Sequence, residues 1–238
     1  MNNKKISPLW LILILLVILN IVNGGFINMG TWILNKILVL PAILIGLCFH
    51  EFAHGFVSDR LGDPTPKLQG RLTVNPKAHI DPFGFIALLI AGFGWGKPVE
   101  IDPRYYKHRR RDELLVALAG IIMNLLIAIV FAFIVKIILM ISPGIYANAV
   151  GKIIMTILQN VIIINIVLMV FNLLPVPPLD GFNVLTEIFN LRKYDWYYSY
   201  YRFGGFLLLL LVFLNITDLF LTPMVSSIYS IIVKTIIY

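Results

Sequence analysis

Cysteine and charge are what this chain has least of. One cysteine, Cys48, stands among 238 residues, which excludes an internal disulfide and a thiolate zinc cluster. Charged residues make up 13 % of the chain against 59 % hydrophobic, and mean hydropathy is +0.90. A soluble globular domain carries about 25 % charged residues, so that class is excluded. The composition predicts an all-α polytopic membrane protein, a single domain over residues 1–238 with no appended soluble module. Three connecting segments, Asn23–Thr31, Ser142–Gly151 and Thr217–Asp218, contain no Lys or Arg at all. The net charge of +7 is therefore a matter of loop distribution and not a nucleic-acid footprint.

Six apolar stretches come near the ~20 residues a bilayer crossing needs: Pro8–Val22, Trp32–Val57, Glu113–Ile141, Lys152–Leu174, Phe203–Ile216 and Leu219–Ile236. The first follows Lys4 and Lys5, but Asn23-Gly24-Gly25-Phe26 offers no small-residue cleavage site, so it reads as a retained helix. Lys and Arg crowd the segment Ser58–Asp112 and recur at Arg192, Lys193 and Arg202. The positive-inside rule then predicts a multi-pass protein with both termini in the cytoplasm. Heavy use of Ile, Asn and Lys fits an AT-rich prokaryotic genome, and the expected location is then a prokaryotic cell membrane. Residues 84–96 are apolar and glycine-rich yet too short to span, which predicts a small membrane-associated β-hairpin or re-entrant element. Its edge either receives an extended peptide or only shapes a wall; both readings stay open.

His50-Glu51-Phe52-Ala53-His54 is the most informative stretch. Residues four apart on an α-helix project from one face, and two neutral imidazoles so placed can hold one Zn²⁺. Glu51 sits where it can act as base on a water that the metal activates. Trp32 to Phe49 carries one charged residue, Lys36. Ionisable groups cost about 2.5 kcal/mol or more at the centre of a membrane helix, so they read there as a working site. Histidines bonded only to their neighbours are the bland alternative. Cys48 lies about 200° around the helix from His50 and faces elsewhere.

A catalytic zinc keeps three protein ligands and an open position. Asn172-Leu173-Leu174-Pro175-Val176-Pro177-Pro178-Leu179-Asp180-Gly181 ends a span with prolines that forbid regular helix. Asp180 returns there on the side of His54, as third ligand or as N-cap of the next helix.

Taken together, His50-Glu51-x-x-His54, Ala119-Gly120-x-x-x-Asn124 and Asn172-x-x-Pro175-x-Pro177-x-Leu179-Asp180-Gly181 resemble the site-2 protease family of intramembrane metalloproteases. Gly70-Arg71-Leu72-Thr73-Val74-Asn75-Pro76-x-x-His79-Ile80-Asp81-Pro82 and Gly94-Trp95-Gly96-Lys97-Pro98-Val99 resemble its short branch, and nothing reads as the PDZ or CBS modules other branches carry. The resemblance implies a metalloprotease with a catalytic core at about 32–190. It implies one Zn²⁺ per chain held by His50, His54 and Asp180, with Glu51 as general base and later acid. It also implies Asn172 beside the metal, bonding the substrate backbone or the oxyanion. The substrates it implies are transmembrane proteins, cut within or near their helices, with membrane lipids the other partner. Asn124 reads as a helix-packing amide. His79 and Asp81 are either extra metal-side groups or loop-fixing ones, and His108 an interfacial bystander. A non-enzymatic metal-binding or transport protein is the rival reading, though it needs a polar path across the bilayer.

Overall fold

The computed structural model describes residues 29–91 and 94–238. Helix α1 runs Met29–Arg60, and two single turns follow, α2 (Thr65–Leu68) and α3 (Pro76–His79). Next come α4 (Pro82–Ala91), α5 (Arg109–Ile141), α6 (Ala149–Asn172), α7 (Asp180–Phe189), α8 (Trp196–Phe213) and α9 (Ile216–Ile232). Among the described residues, four helical segments are long and apolar enough to cross a bilayer: Gly30–Arg60, Arg109–Ile141, Ala149–Asn172 and Ile216–Ile237. The predicted first span, Pro8–Val22, lies outside the described residues. The predicted fifth falls on the 18-residue α8, which is not among those four. Its end differs too. The chain turns at Asn215, whose φ of 55° is left-handed, a conformation Asn tolerates better than most residues, and so α9 begins at Ile216.

Helices α1, α5 and α6 pack on one another as the centre of the bundle, with α7 and α9 against its sides. Ile121, Ala128, Ala132 and Val135 of α5 interlock with Met155, Ile162, Ile166 and Val170 of α6, while Ala42 joins Ile127 and Val161 where all three helices meet. Phe203, Phe206, Leu219 and Phe220 are turned outward and exposed, as lipid-facing side chains would be.

The β-hairpin expected in residues 84–96 is corrected by the structure. Residues 82–91 form helix, and among the described residues the extended pairing nearby is one isolated antiparallel bridge, Ile80 to Gly96. The reason lies in residue placement. Pro82 suits a first helical turn, Ala87, Leu88, Leu89 and Ala91 are strong helix formers, and the glycines cluster at the ends. Gly84 serves close approach: a Cβ there would lie 2.1 Å from the Trp95 carbonyl oxygen. His79 and Asp81 fix this region. His79 Nε2 donates to the Thr73 carbonyl at 2.6 Å, and Asp81 Oδ1 accepts from the Gly84 amide at 2.8 Å.

A polar knot ties the end of α1 to the segment before α5. The buried Asp63 carboxylate accepts from Ser58 Oγ at 2.7 Å, the Thr65 amide at 2.9 Å and the Asp102 amide at 2.8 Å. Since Ser58 spends its proton on Asp63, the Tyr106 hydroxyl donates to Ser58 Oγ at 2.7 Å. Burial pushes the Tyr106 phenol up to about 12. Burial also works to raise Asp63, but the hydrogen bonds it accepts outweigh that and hold it below the ordinary carboxylate range. A depressed folded-state pKa stabilises the fold above the unfolded value, near 4, and that contribution is lost as pH falls through the folded value. Asp63→Ala should cost about 1–3 kcal/mol at neutral pH, because three donors lose their acceptor. Thermal unfolding in detergent checks this, and the gap between the two proteins should narrow only on acidification below about pH 4.

Candidate metal centre

His50 and His54 lie one turn apart on α1, and both rings point at the start of α7. Each is oriented by a bond at Nδ1. His54 Nδ1 lies 2.7 Å from the Val116 carbonyl. A carbonyl can only accept, so Nδ1 carries a proton, and in the neutral ring Nε2 then presents a lone pair. His50 Nδ1 lies 2.7 Å from Asn124 Oδ1, whose amide nitrogen donates to the Gly46 carbonyl at 3.1 Å. His50 is thus held in the same tautomer. Metal-binding histidines are characteristically fixed by such bonds at the remote nitrogen.

Asp180 is the first residue of α7, not its cap; Leu179 holds the cap position without a side-chain bond. A Cβ on Gly181 would meet the Leu173 carbonyl oxygen at 2.3 Å, so glycine lets the proline-rich turn fold tightly against α7 and swing Asp180 inward. The other end of α7 is clamped. Arg110 Nη2 donates to the Glu187 carbonyl at 2.6 Å, and Arg192 bridges the buried carboxylates of Glu187 (2.7 Å) and Glu113.

The three acceptor atoms form a nearly equilateral triangle. Asp180 Oδ2 lies 3.2 Å from His50 Nε2 and 3.3 Å from His54 Nε2, and the two nitrogens are 3.0 Å apart. Asp180 Oδ2 is buried without a hydrogen-bond partner. Tetrahedral coordination with zinc–ligand lengths of about 2.0–2.1 Å gives edges of about 3.3 Å, so the donor set fits zinc. Two lone pairs and a carboxylate oxygen at these separations repel. A proton can bridge one edge of the triangle, whereas a divalent cation satisfies all three.

Gly120 is what allows α5 so close. A Cβ there would lie 2.5 Å from His50 Cε1 and 2.5 Å from His54 Nε2. Glu51, next to the first histidine, has Oε2 fixed by the Val99 amide at 2.9 Å. Asn172 is not drawn into the triangle: its amide nitrogen donates to the Leu168 carbonyl of its own helix at 3.0 Å. His108 stands at the α5 start, where its backbone amide donates to Asp112. Sequence reasoning took Asn124 for a packing amide, met Val99 only at the end of the 94–99 motif, and gave no role at the site to Gly46, Val116 or Asn165. Of these only Gly46 carried a legible signal, four residues before His50 on the same helical face.

The bundle and this triangle define a helical membrane protein with a His/His/Asp constellation suited to a divalent metal. The chain belongs to peptidase family M50, the site-2 proteases, whose family model matches residues 38–144 and 136–212. It is similar to "Putative zinc metalloprotease YwhC" of Bacillus subtilis, 38 % identical over 151 residues, 61 % of this chain and 66 % of that protein. Proteins given the same description, each called Rip2, match from Mycolicibacterium smegmatis and Mycobacterium tuberculosis. The first is 31 % identical over 160 residues (65 % of this chain, 58 % of the relative), the second 30 % over 155 residues (63 % and 56 %). The chain thus covers less than two thirds of each of these relatives. No solved structure matches it.

Proposed function

We propose that this protein is a zinc-dependent intramembrane endopeptidase that hydrolyses peptide bonds within or near transmembrane helices of other membrane proteins. The observation that carries the proposal is the triangle of His50 Nε2, His54 Nε2 and Asp180 Oδ2 at 3.0–3.3 Å, with a carboxylate, Glu51, adjacent to one of its corners. In this reading His50, His54 and Asp180 hold one Zn²⁺. The bound ion supplies Lewis-acid activation of a water and of the scissile carbonyl. Glu51 accepts the proton of the attacking water at a carboxylate oxygen and returns it to the departing amide nitrogen. The Val99 amide keeps that carboxylate from swinging away. Asn172, at the C-terminal end of α6, bonds the substrate backbone or the oxyanion; its amide nitrogen donates one hydrogen to the Leu168 carbonyl and keeps the second for such a partner.

Six spans with both termini cytoplasmic complete the proposed topology, the first and fifth being Pro8–Val22 and the α8 region. The charge-poor segments 142–151 and 217–218 and the basic segment before α5 support that orientation. His50 and His54 then lie toward the cytoplasmic end of α1, within reach of water. The transport reading is not favoured, because the family is one of peptidases.

Asp180→Ala removes one corner of the triangle. The purified variant should lose stoichiometric zinc and, with it, cleavage of a transmembrane substrate. Metal analysis paired with a cleavage assay tests both. A variant that keeps both zinc and activity would remove Asp180 from the ligand set.

A further inference from the structure

Asn165 lies in the C-terminal half of α6, fully buried in an apolar setting, and touches neither imidazole through any hydrogen bond. Its side chain joins a chain of amides crossing three helices. Asn165 Nδ2 donates to the Val161 carbonyl at 2.8 Å, and Asn165 Oδ1 accepts from Asn124 Nδ2 at 2.9 Å. The same Asn124 nitrogen donates to the Gly46 carbonyl of α1, and Asn124 Oδ1 accepts from His50 Nδ1. Carbonyl oxygens at Val161 and Gly46 can only accept. They fix the polarity of every bond between them, so neither amide can flip without opposing two acceptors. Space is reserved for the relay as well: a Cβ on Gly46 would lie 3.2 Å from Asn165 Oδ1 and 2.6 Å from Leu168 Cδ1.

We propose that Asn165 is a positioning residue of the metal centre, which through Asn124 locks His50 in the tautomer that presents Nε2 to the ion. An Asn124 amide freed to rotate could offer its NH₂ to His50 Nδ1. The imidazole proton would then sit on Nε2, where it blocks coordination. Gly46 alone holds Asn124 by one 3.1 Å bond, whereas Asn165 adds a second acceptor for the amide's other hydrogen. Two fixed N–H directions determine where Oδ1 points; one leaves rotation about the bond. The inference rests on the zinc reading above for its consequence, but the tautomer itself is a property of the metal-free protein.

Two variants of nearly equal size separate positioning from packing. Asn165→Leu fills the same volume and removes both polar atoms. Asn165→Asp, kept neutral by burial, can still accept from Asn124 with one oxygen and donate its hydroxyl proton to Val161. Nitrogen-15 chemical shifts of His50 in metal-free protein distinguish Nδ1–H from Nε2–H, and zinc titration gives the dissociation constant. Wild type and Asn165→Asp should show Nδ1–H. Asn165→Leu should show a mixture and bind zinc about 10–100-fold more weakly, the usual effect of losing an outer partner of a histidine ligand. A folded Asn165→Leu with the wild-type tautomer and affinity overturns the relay and leaves the protease reading intact. Nε2–H in metal-free wild type overturns it even if Asn165→Leu fails to fold. Failure of wild type to bind zinc would instead overturn the proposed function.

Discussion

Glu51→Gln is expected to lower cleavage by about 10²–10⁴-fold, the usual worth of a positioned general base, while zinc stays bound. The separation of the two readouts follows from the geometry. Glu51 contributes no corner to the acceptor triangle, which is built from His50, His54 and Asp180. Glutamine keeps the length of glutamate and an oxygen that can accept the Val99 amide bond, now made at 2.9 Å. The side chain therefore stays where it is and loses only its basicity. Rate measurement on a purified transmembrane substrate, with metal analysis of the same sample, checks both halves. Cleavage at the parental rate would remove Glu51 from the proton-transfer role. Glu51→Asp is a useful companion. It keeps the carboxylate but withdraws it by one methylene from Val99, so a loss there measures the value of position.

Several of these features were readable before any coordinates. Helical periodicity puts His50 and His54 on one face, and the structure has them on one helix with ring nitrogens 3.0 Å apart. The prolines before Asp180 imply a broken helix returning to the bundle, and the carboxylate meets both rings. Local rules sufficed because each feature depends on spacing within one segment. The expectation of a β-hairpin, as one form of the element in residues 84–96, gave the glycines more weight than the leucine and alanine between them. The Gly-x-x-x-Asn spacing of Gly120 and Asn124 made close helix approach legible, but the relay and the contact of Gly120 with the imidazoles have another origin. Whether Asn165 faces Asn124 is decided by how α5 and α6 rotate against each other, and the shared core of Ala128, Ala132, Ile162 and Ile166 has no signature in either helix alone. Asn172 is not brought to the triangle: its amide nitrogen donates to the Leu168 carbonyl.

Gly120→Ala should be as damaging as loss of a ligand, although it adds one methyl group to a helix that alanine favours. In an exposed helix interior the exchange stabilises by about 0.8–1.0 kcal/mol. Here the new Cβ would stand 2.5 Å from His50 Cε1, 2.5 Å from His54 Nε2 and 2.6 Å from His50 Nδ1. A flexible side-chain tip could yield, but these rings cannot do so cheaply. Each is tied at Nδ1, to Asn124 and to the Val116 carbonyl, and Val116 sits on α5 one turn before Gly120. Backing α5 away would strain those same bonds, and leaving it in place would push Nε2 of His54 out of the triangle. The variant should therefore fold, because the apolar contacts of α5 further along are unchanged, yet bind zinc at least 100-fold more weakly and cleave nothing measurable. Gly205→Ala is the control. A Cβ at that position of α8 has nothing within 4 Å, so it should leave zinc affinity and cleavage unchanged. Zinc titration of both purified variants decides the matter. Equal affinity in Gly120→Ala and Gly205→Ala would show that α5 does not press on the imidazoles as the structure has it.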